Sequence, residues 1–168
     1  MPIAVGDRIP SVTVKRVTAE TTEDVDSADF IGRGQVAFFT VPGAFTPTCH
    51  LNHLPGFIDL ADELHVAGIE RIVCGAVNDH HVMKAWGNAS GAFPKIEMLA
   101  DVRGNLAQAM GISKEFKDLS IRFARASFLI NHGVVESVTL ETASGPVLES
   151  GAAALLDALN AQRLVGTA

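Results

Sequence analysis

Two thiols in this chain could act as nucleophiles, Cys49 and Cys74, and they sit in very different surroundings. Cys49 belongs to the run VPGAFTPTCHLNH, residues 41–53. Thr46 followed by Pro47 reads as a helix start: a hydroxyl residue at the N-cap, then a proline at the first helical position, where its missing N–H costs nothing. Cys49 is then the third helical residue. Free N–H groups and the positive end of the helix dipole gather in that turn. A thiolate is stabilised there, so the chemistry to expect is attack by sulfur on an electrophile. The preceding path, an apolar strand and then a Pro-Gly turn, puts the turn at the C-terminal end of a strand, the crevice where open α/β sheets bind ligands.

Position alone leaves a second reading of Cys49 open, that of a small buried hydrophobe, because inert cysteines also occupy helix ends. Cys74 lies within the apolar run IERIVCGAV. Burial without a charged neighbour raises a thiol pKa and makes it inert, so Cys74 reads as packing. His50 and His53 follow Cys49, and Cys49 and His53 are spaced to share one helix face. That spacing could serve a metal or a Cys–His hydrolase. No third ligand or orienting carboxylate stands at a recognisable spacing, so neither metal nor cofactor is expected. A dithiol oxidoreductase needs Cys-x-x-Cys, whereas Cys49 is followed by His50, Leu51 and Asn52. His80 and His81 read as solvated residues at a helix start. Trp86 and Phe57 read as core. Phe45 is placed to line a pocket mouth or to pack against a neighbouring subunit.

The elements that must hold Cys49 follow from the hydropathy pattern. Residues 11–17 alternate like a strand, and 18–29 read as a turn with a short strand. Residues 35–41 (QVAFFTV) are an apolar run of strand length, suited to a strand covered on both faces. A helix is predicted from about Pro47 to Val66, interrupted at Pro55-Gly56, then a buried strand over 69–77. Asp79 caps a helix running to about Ala89. A short strand over 97–100 and a short helix over 105–110 follow. Residues 122–131 and 134–141 are predicted as strands joined through His132-Gly133, and Ser150 as the cap of a last helix. Alternating strands and helices, with a hairpin near the end, make an α/β domain with helices flanking a central mixed sheet. A central β-α-β followed by β-β-α is the thioredoxin-like arrangement.

The whole chain, residues 1–168, reads as one domain without repeats or linkers. Hydrophobic residues make up 48% and charged residues 19%, which is a globular balance. The net charge of −6 supplies no basic face, so no nucleic-acid partner is expected. No apolar run reaches membrane-spanning length. The N-terminus lacks a basic start followed by a long apolar stretch, and the ending LVGTA matches no address motif. A cytoplasmic protein is the expectation.

The spacing Pro42-x-x-x-Thr46-x-x-Cys49 resembles the active-site motif of the peroxiredoxins. The wider run VPGAFTPTCHLNHLPGF is similar to the peroxiredoxin-5 or type II (atypical) subfamily, as are VNDHHVMKAWG, LADVRGNLAQAMG and RFARASFLINHGVV. The resemblance implies a thioredoxin-like fold that reduces hydrogen peroxide and alkyl hydroperoxides, with Cys49 as the attacking thiolate. It implies that Thr46 holds the peroxide, that Pro42 shields the thiolate from water, and that an arginine reaches the pocket from a later strand, here Arg125. Thr48, Phe45 and His53 complete the set expected to meet substrate; His53, which matches a histidine often present in that family beside Leu-Pro-Gly, is expected to shape the pocket edge or to hydrogen-bond locally. Along the strand, Arg125 shares a face with Phe123, Ser127 and Leu129, and Arg122 lies on the other face with Ala124 and Ala126. Residue patterning alone does not choose between the two arginines.

A free thiol of pKa about 8.5 is roughly 3% ionised at pH 7. Full ionisation therefore accelerates the reaction by only about 30-fold. The rest must come from stabilising the charge that grows on the departing oxygen. Regeneration is the remaining question. Many relatives draw a resolving cysteine from the segment before the last helix, which here reads TASGPVLESGAAALL, with Glu149 near that place. The expectation is a one-cysteine enzyme recycled by glutathione and glutaredoxin, with thioredoxin as the other candidate reductant, and a homodimer. A peroxide-sensing or chaperone-like role on the same fold is the alternative.

Overall fold

The computed structural model describes residues 1–141 and 150–166. The strands are β1 (Thr13–Val17), β2 (Thr22–Asp26), β3 (Gln35–Val41), β4 (Arg71–Ala76), β5 (Glu97–Ala100), β6 (Ser113–Phe116), β7 (Ser120–Phe123), β8 (Ala126–Asn131) and β9 (Val134–Leu140). The α-helices are α1 (Ser27–Phe30), α2 (Leu54–Asp59), α3 (Ala61–Val66), α4 (His80–Ser90), α5 (Asn105–Ala109) and α6 (Ala152–Gly166).

Seven strands form one mixed sheet in the order β2-β1-β5-β4-β3-β8-β9, and β6 and β7 pair separately as a hairpin. The central strands β3, β4 and β5 run parallel, with β8 antiparallel to β3. β3 is buried from Val36 to Val41, as its unbroken apolar run requires of a strand covered on both faces. One face of the sheet packs against α2, α3, α4 and α6 through Leu54, Phe57, Leu64, Trp86 and Leu155. The other is closed by α1, α5 and the N-terminal segment through Phe30, Leu106 and Ile3. Cys49 lies on the first face, under Phe39 and Val41 in the same core. This is the mixed, helix-flanked sheet expected from the pattern.

Four local expectations change. The long helix breaks at Leu60 rather than at Pro55-Gly56, because Pro55 falls at the first turn of α2, where it is tolerated. Its opening turn, Cys49–His53, is wound as a π-helix, with the Leu54 N–H bonded to the Cys49 carbonyl. Ser150 does not cap α6: its hydroxyl donates to Glu141, and the Gly151 carbonyl takes the Leu155 N–H. The strand predicted over 122–131 is divided at Ala124-Arg125 into β7 and β8. That division is held from three sides, since Thr40 Oγ1 donates to the Ala124 carbonyl, the Ala124 N–H to Ile112, and the Glu141 N–H to the Arg125 carbonyl.

Candidate active site

The turn after β3 carries the thiol. Val41 ends the strand, Pro42 and Gly43 are buried, and Phe45 turns the chain with φ of 62°. The helix then begins at Pro47, which places Cys49 in its first turn. Thr46 occupies the expected cap position, and its carbonyl accepts the His50 N–H at 2.8 Å. Its hydroxyl points elsewhere than a capping residue's would: Oγ1 donates to the Gly43 carbonyl at 2.7 Å. The Thr46 lone pairs therefore stay available to a ligand, and no side chain caps the π-turn among the described residues.

Cys49 is fully buried, and Arg125 reaches it. Arg125 Nη2 donates to Cys49 Sγ at 3.1 Å. The break between β7 and β8 makes this possible. Phe123 falls into the core of the opposite face, whereas Leu129 keeps to the Cys49 face. The single face expected for Phe123, Arg125, Ser127 and Leu129 therefore holds only beyond the break. Ser127, buried next to Arg125 in sequence parity, has a hydroxyl without a partner among the described residues.

His53 lies behind the arginine and is 1% exposed: of the two roles expected for it, it takes the hydrogen-bonding one and not the pocket edge. Its Nδ1 is 2.9 Å from Arg125 Nη1, and its Nε2 is 2.9 Å from the Ser150 carbonyl. Arginine only donates and a carbonyl only accepts, so Nδ1 carries the lone pair and Nε2 the proton. Neither nitrogen is left for a substrate. Burial holds the His53 pKa down to about 4. The Ser150 carbonyl pulls it up, Arg125 pushes it further down, and Glu141 opposes Arg125. Phe39 and Phe57 stack at 3.9 Å between ring centres and flank the imidazole. Glu141 Oε1 accepts both the N–H and the hydroxyl of Ser150. Glu141 and Ser150 were not foreseen, because no motif links residues so far apart in sequence to a thiol.

Cys74 pairs across the sheet with Phe39 and is fully buried. Burial lifts its pKa well above the ordinary thiol range, and Cys49 lifts it further. A protonated thiol is a poor nucleophile, as its apolar strand implied. His50 turns to Trp86, whose Nε1–H donates to His50 Nδ1 at 3.0 Å, and Phe45 lies against both rings. Among the described residues no group of His, Cys, Asp and Glu could hold a metal ion. Thr48 is half-buried beside Cys49. Glu149 lies outside the described residues.

A model of the redoxin family matches residues 4–156. Peroxiredoxin-2C of Arabidopsis thaliana is 38% identical over 161 residues, covering 94% of this chain and 99% of the relative.

The chain belongs to the peroxiredoxin family.

Solved peroxiredoxins superpose on it closely. Reduced Prx3 from Vibrio vulnificus, in complex with hydrogen peroxide, matches with a TM-score of 0.87 at 37% identity, covering 94% of this chain and 99% of that one. Peroxiredoxin 5 from Alvinella pompejana matches at 0.84 and 32% identity, covering 96% and 100%. This peroxiredoxin is a thiol peroxidase, and it uses a peroxide substrate and a thiol reductant. Its fold is the thioredoxin-like one of those structures.

Proposed function

We propose that this peroxiredoxin reduces hydrogen peroxide and small alkyl hydroperoxides by a one-cysteine route, with Cys49 as the nucleophile. What carries the reading is the Arg125 guanidinium, bonded to Cys49 Sγ through Nη2 and fixed from behind by His53 through Nη1. The Cys49 thiolate attacks one peroxide oxygen. The O–O bond breaks, the distal oxygen leaves as alkoxide or hydroxide and takes a proton, and Cys49 is left as the sulfenic acid. Negative charge passes from sulfur to the leaving oxygen as the O–O bond breaks. Arg125, Thr46 and the backbone N–H groups of the first helical turn are the donors at hand. Pro42 is buried against the turn and keeps water away. The Prx3 complex with hydrogen peroxide supports the choice of substrate.

For regeneration, the chain contains only one other thiol, Cys74, set in the centre of the sheet and protonated. A disulfide needs Cα atoms within about 7 Å and side chains aimed at one another. Cys74 is moreover a protonated thiol packed in the sheet core, the wrong state for attack on a sulfenic acid. An external thiol therefore attacks the sulfenic acid, releasing water and leaving a mixed disulfide. Glutathione with glutaredoxin is the reductant we assign, acting on a homodimer in the cytoplasm. Intact-mass analysis after one equivalent of peroxide tests the route. Gain of one oxygen, converted by glutathione to its adduct, supports it. Loss of two hydrogens with a Cys49–Cys74 cross-link overturns it. Side-by-side turnover with glutathione plus glutaredoxin and with thioredoxin identifies the donor.

A further inference from the structure

We propose that Arg122 and Asn78 are positioning residues for peroxide reduction, acting together as a brace that holds the turn 42–46 and, through it, the Thr46 hydroxyl.

The brace is a chain of hydrogen bonds outside the reacting atoms. Arg122 Nε donates to the Leu119 carbonyl at 2.7 Å, and Nη1 to the Val77 carbonyl at 2.9 Å. This ties the β6–β7 hairpin to the end of β4. The next residue, Asn78, accepts the Ala44 N–H at Oδ1, at 3.0 Å. Ala44 is in turn bonded covalently to Gly43, whose carbonyl receives the Thr46 hydroxyl. The guanidinium also closes on the turn directly. A Cβ on Gly43 would sit 3.5 Å from Arg122 Nη1 and 3.2 Å from Thr46 Cγ2, so only a methyl-sized space separates the arginine from the threonine. Every partner of Arg122 named here is a carbonyl; it takes part in none of the ion pairs found among the described residues.

A second observation shows that the turn needs holding. Phe45 has φ of 62°, a left-handed backbone that side chains other than glycine adopt at a cost. Such a residue keeps that conformation only where its surroundings over-determine it. Its ring is half-exposed and rests on His50 and Trp86, so the ring alone is a loose clamp. The backbone on either side is what Asn78 and Thr46 fix. If the brace is removed, Phe45 relaxes toward negative φ, Thr46 turns with it, and the peroxide loses the hydroxyl aimed at it. Cys49 and Arg125 keep their contact, because neither belongs to the brace.

The experiment compares two reactions of the same thiol in the full chain. Peroxide reduction needs the aligned donors of the pocket; alkylation by iodoacetamide needs the thiolate and access to it, but not the Thr46 hydroxyl. Asn78→Ala and Arg122→Ala should each slow single-turnover oxidation by hydrogen peroxide by about tenfold. Alkylation should change by less than about threefold across the pH range. Arg122→Lys, which cannot span two carbonyls with one fork, should fall between the parent and Arg122→Ala. Glycine adopts positive φ freely, so the loss caused by Asn78→Ala should shrink in a Phe45→Gly background. An unchanged oxidation rate in Asn78→Ala would overturn the proposal. So would a parallel fall of both reactions with the melting temperature, or a loss that is as large with Gly at position 45 as with Phe.

Discussion

Arg125 and His53 are joined nitrogen to nitrogen, Nη1 to Nδ1 at 2.9 Å, and this contact aims the other arm of the guanidinium at Cys49. An arginine free to snorkel would sample several rotamers and lose donor alignment. Here one nitrogen is spent on the imidazole so that the other faces the sulfur. Removing the arm should cost more than its effect on thiolate fraction. Arg125→Ala should lower the rate with peroxide by about 10²–10³-fold, the range for losing a donor to a developing oxyanion. Alkylation of Cys49, measured beside it, should fall far less. Equal losses in both would mean that Arg125 acts only through ionisation.

The imidazole must stay neutral to accept from Arg125, and burial arranges this by holding its pKa near 4, below the ordinary 6.5. A histidine depressed in the fold binds its proton more readily when unfolded. Stability from this group is thus complete above about pH 6.5 and is lost as pH falls toward 4, to the extent of about 3 kcal/mol. His53→Gln offers an acceptor and a donor without titrating. Its denaturation midpoint should be less acid-sensitive between pH 6.5 and 4 than that of the parent. His53→Leu should lose about tenfold in peroxide rate through a misaimed Arg125. An unchanged pH dependence of the midpoint in His53→Gln would exclude the imidazole as the acid-labile group.

The two cysteines should respond oppositely to replacement. Cys49→Ser should remove peroxidase turnover. Cys74→Ser should keep most of it, while losing about 1–3 kcal/mol of stability from a hydroxyl placed in an apolar sheet face. Comparable loss of turnover in both variants would reassign the chemistry. Activity and chemical denaturation, measured on the same samples, separate the two effects.

Assembly is open to a direct test as well. Phe45, Leu51 and Ile121 are 47%, 67% and 57% exposed, large apolar side chains on the active-site turn, its helix and the β6–β7 hairpin. A dimer formed through the active-site end would cover such residues. Light scattering should show a dimer at micromolar concentration, and Phe45→Asp should weaken it. A monomer in the parent at all concentrations would refute the expectation.

Much of this arrangement was legible in the sequence because it is local. The apolar run of β3, the Thr46-Pro47 helix start and the Asp79 cap each depend on neighbours a few residues away, and each forms where expected. What was not legible depends on distant partners. The break at Ala124-Arg125 is imposed by Thr40, Ile112 and Glu141, and no property of the stretch RFARASF reveals it. Arg122 read as an arginine facing away, since strand parity was carried across that break. His53 read by resemblance as a residue of the pocket edge or a local hydrogen-bonding group, and its partners Arg125 and Ser150, far off in sequence, are what decide for the second. Residues 142–149, where a resolving cysteine would fall in relatives, lie outside the described residues.

The chain has one tryptophan and no tyrosine, so its ultraviolet emission comes from a single indole. That indole, Trp86, is fully buried, and its N–H is given to His50, the residue after the nucleophile. An event that displaces His50 along with the Cys49 turn stretches or releases that bond. The protein thus carries its own optical probe, wired to the first turn of the helix. Each stage of the catalytic cycle that moves this turn can be timed in a stopped-flow fluorimeter without attaching a label.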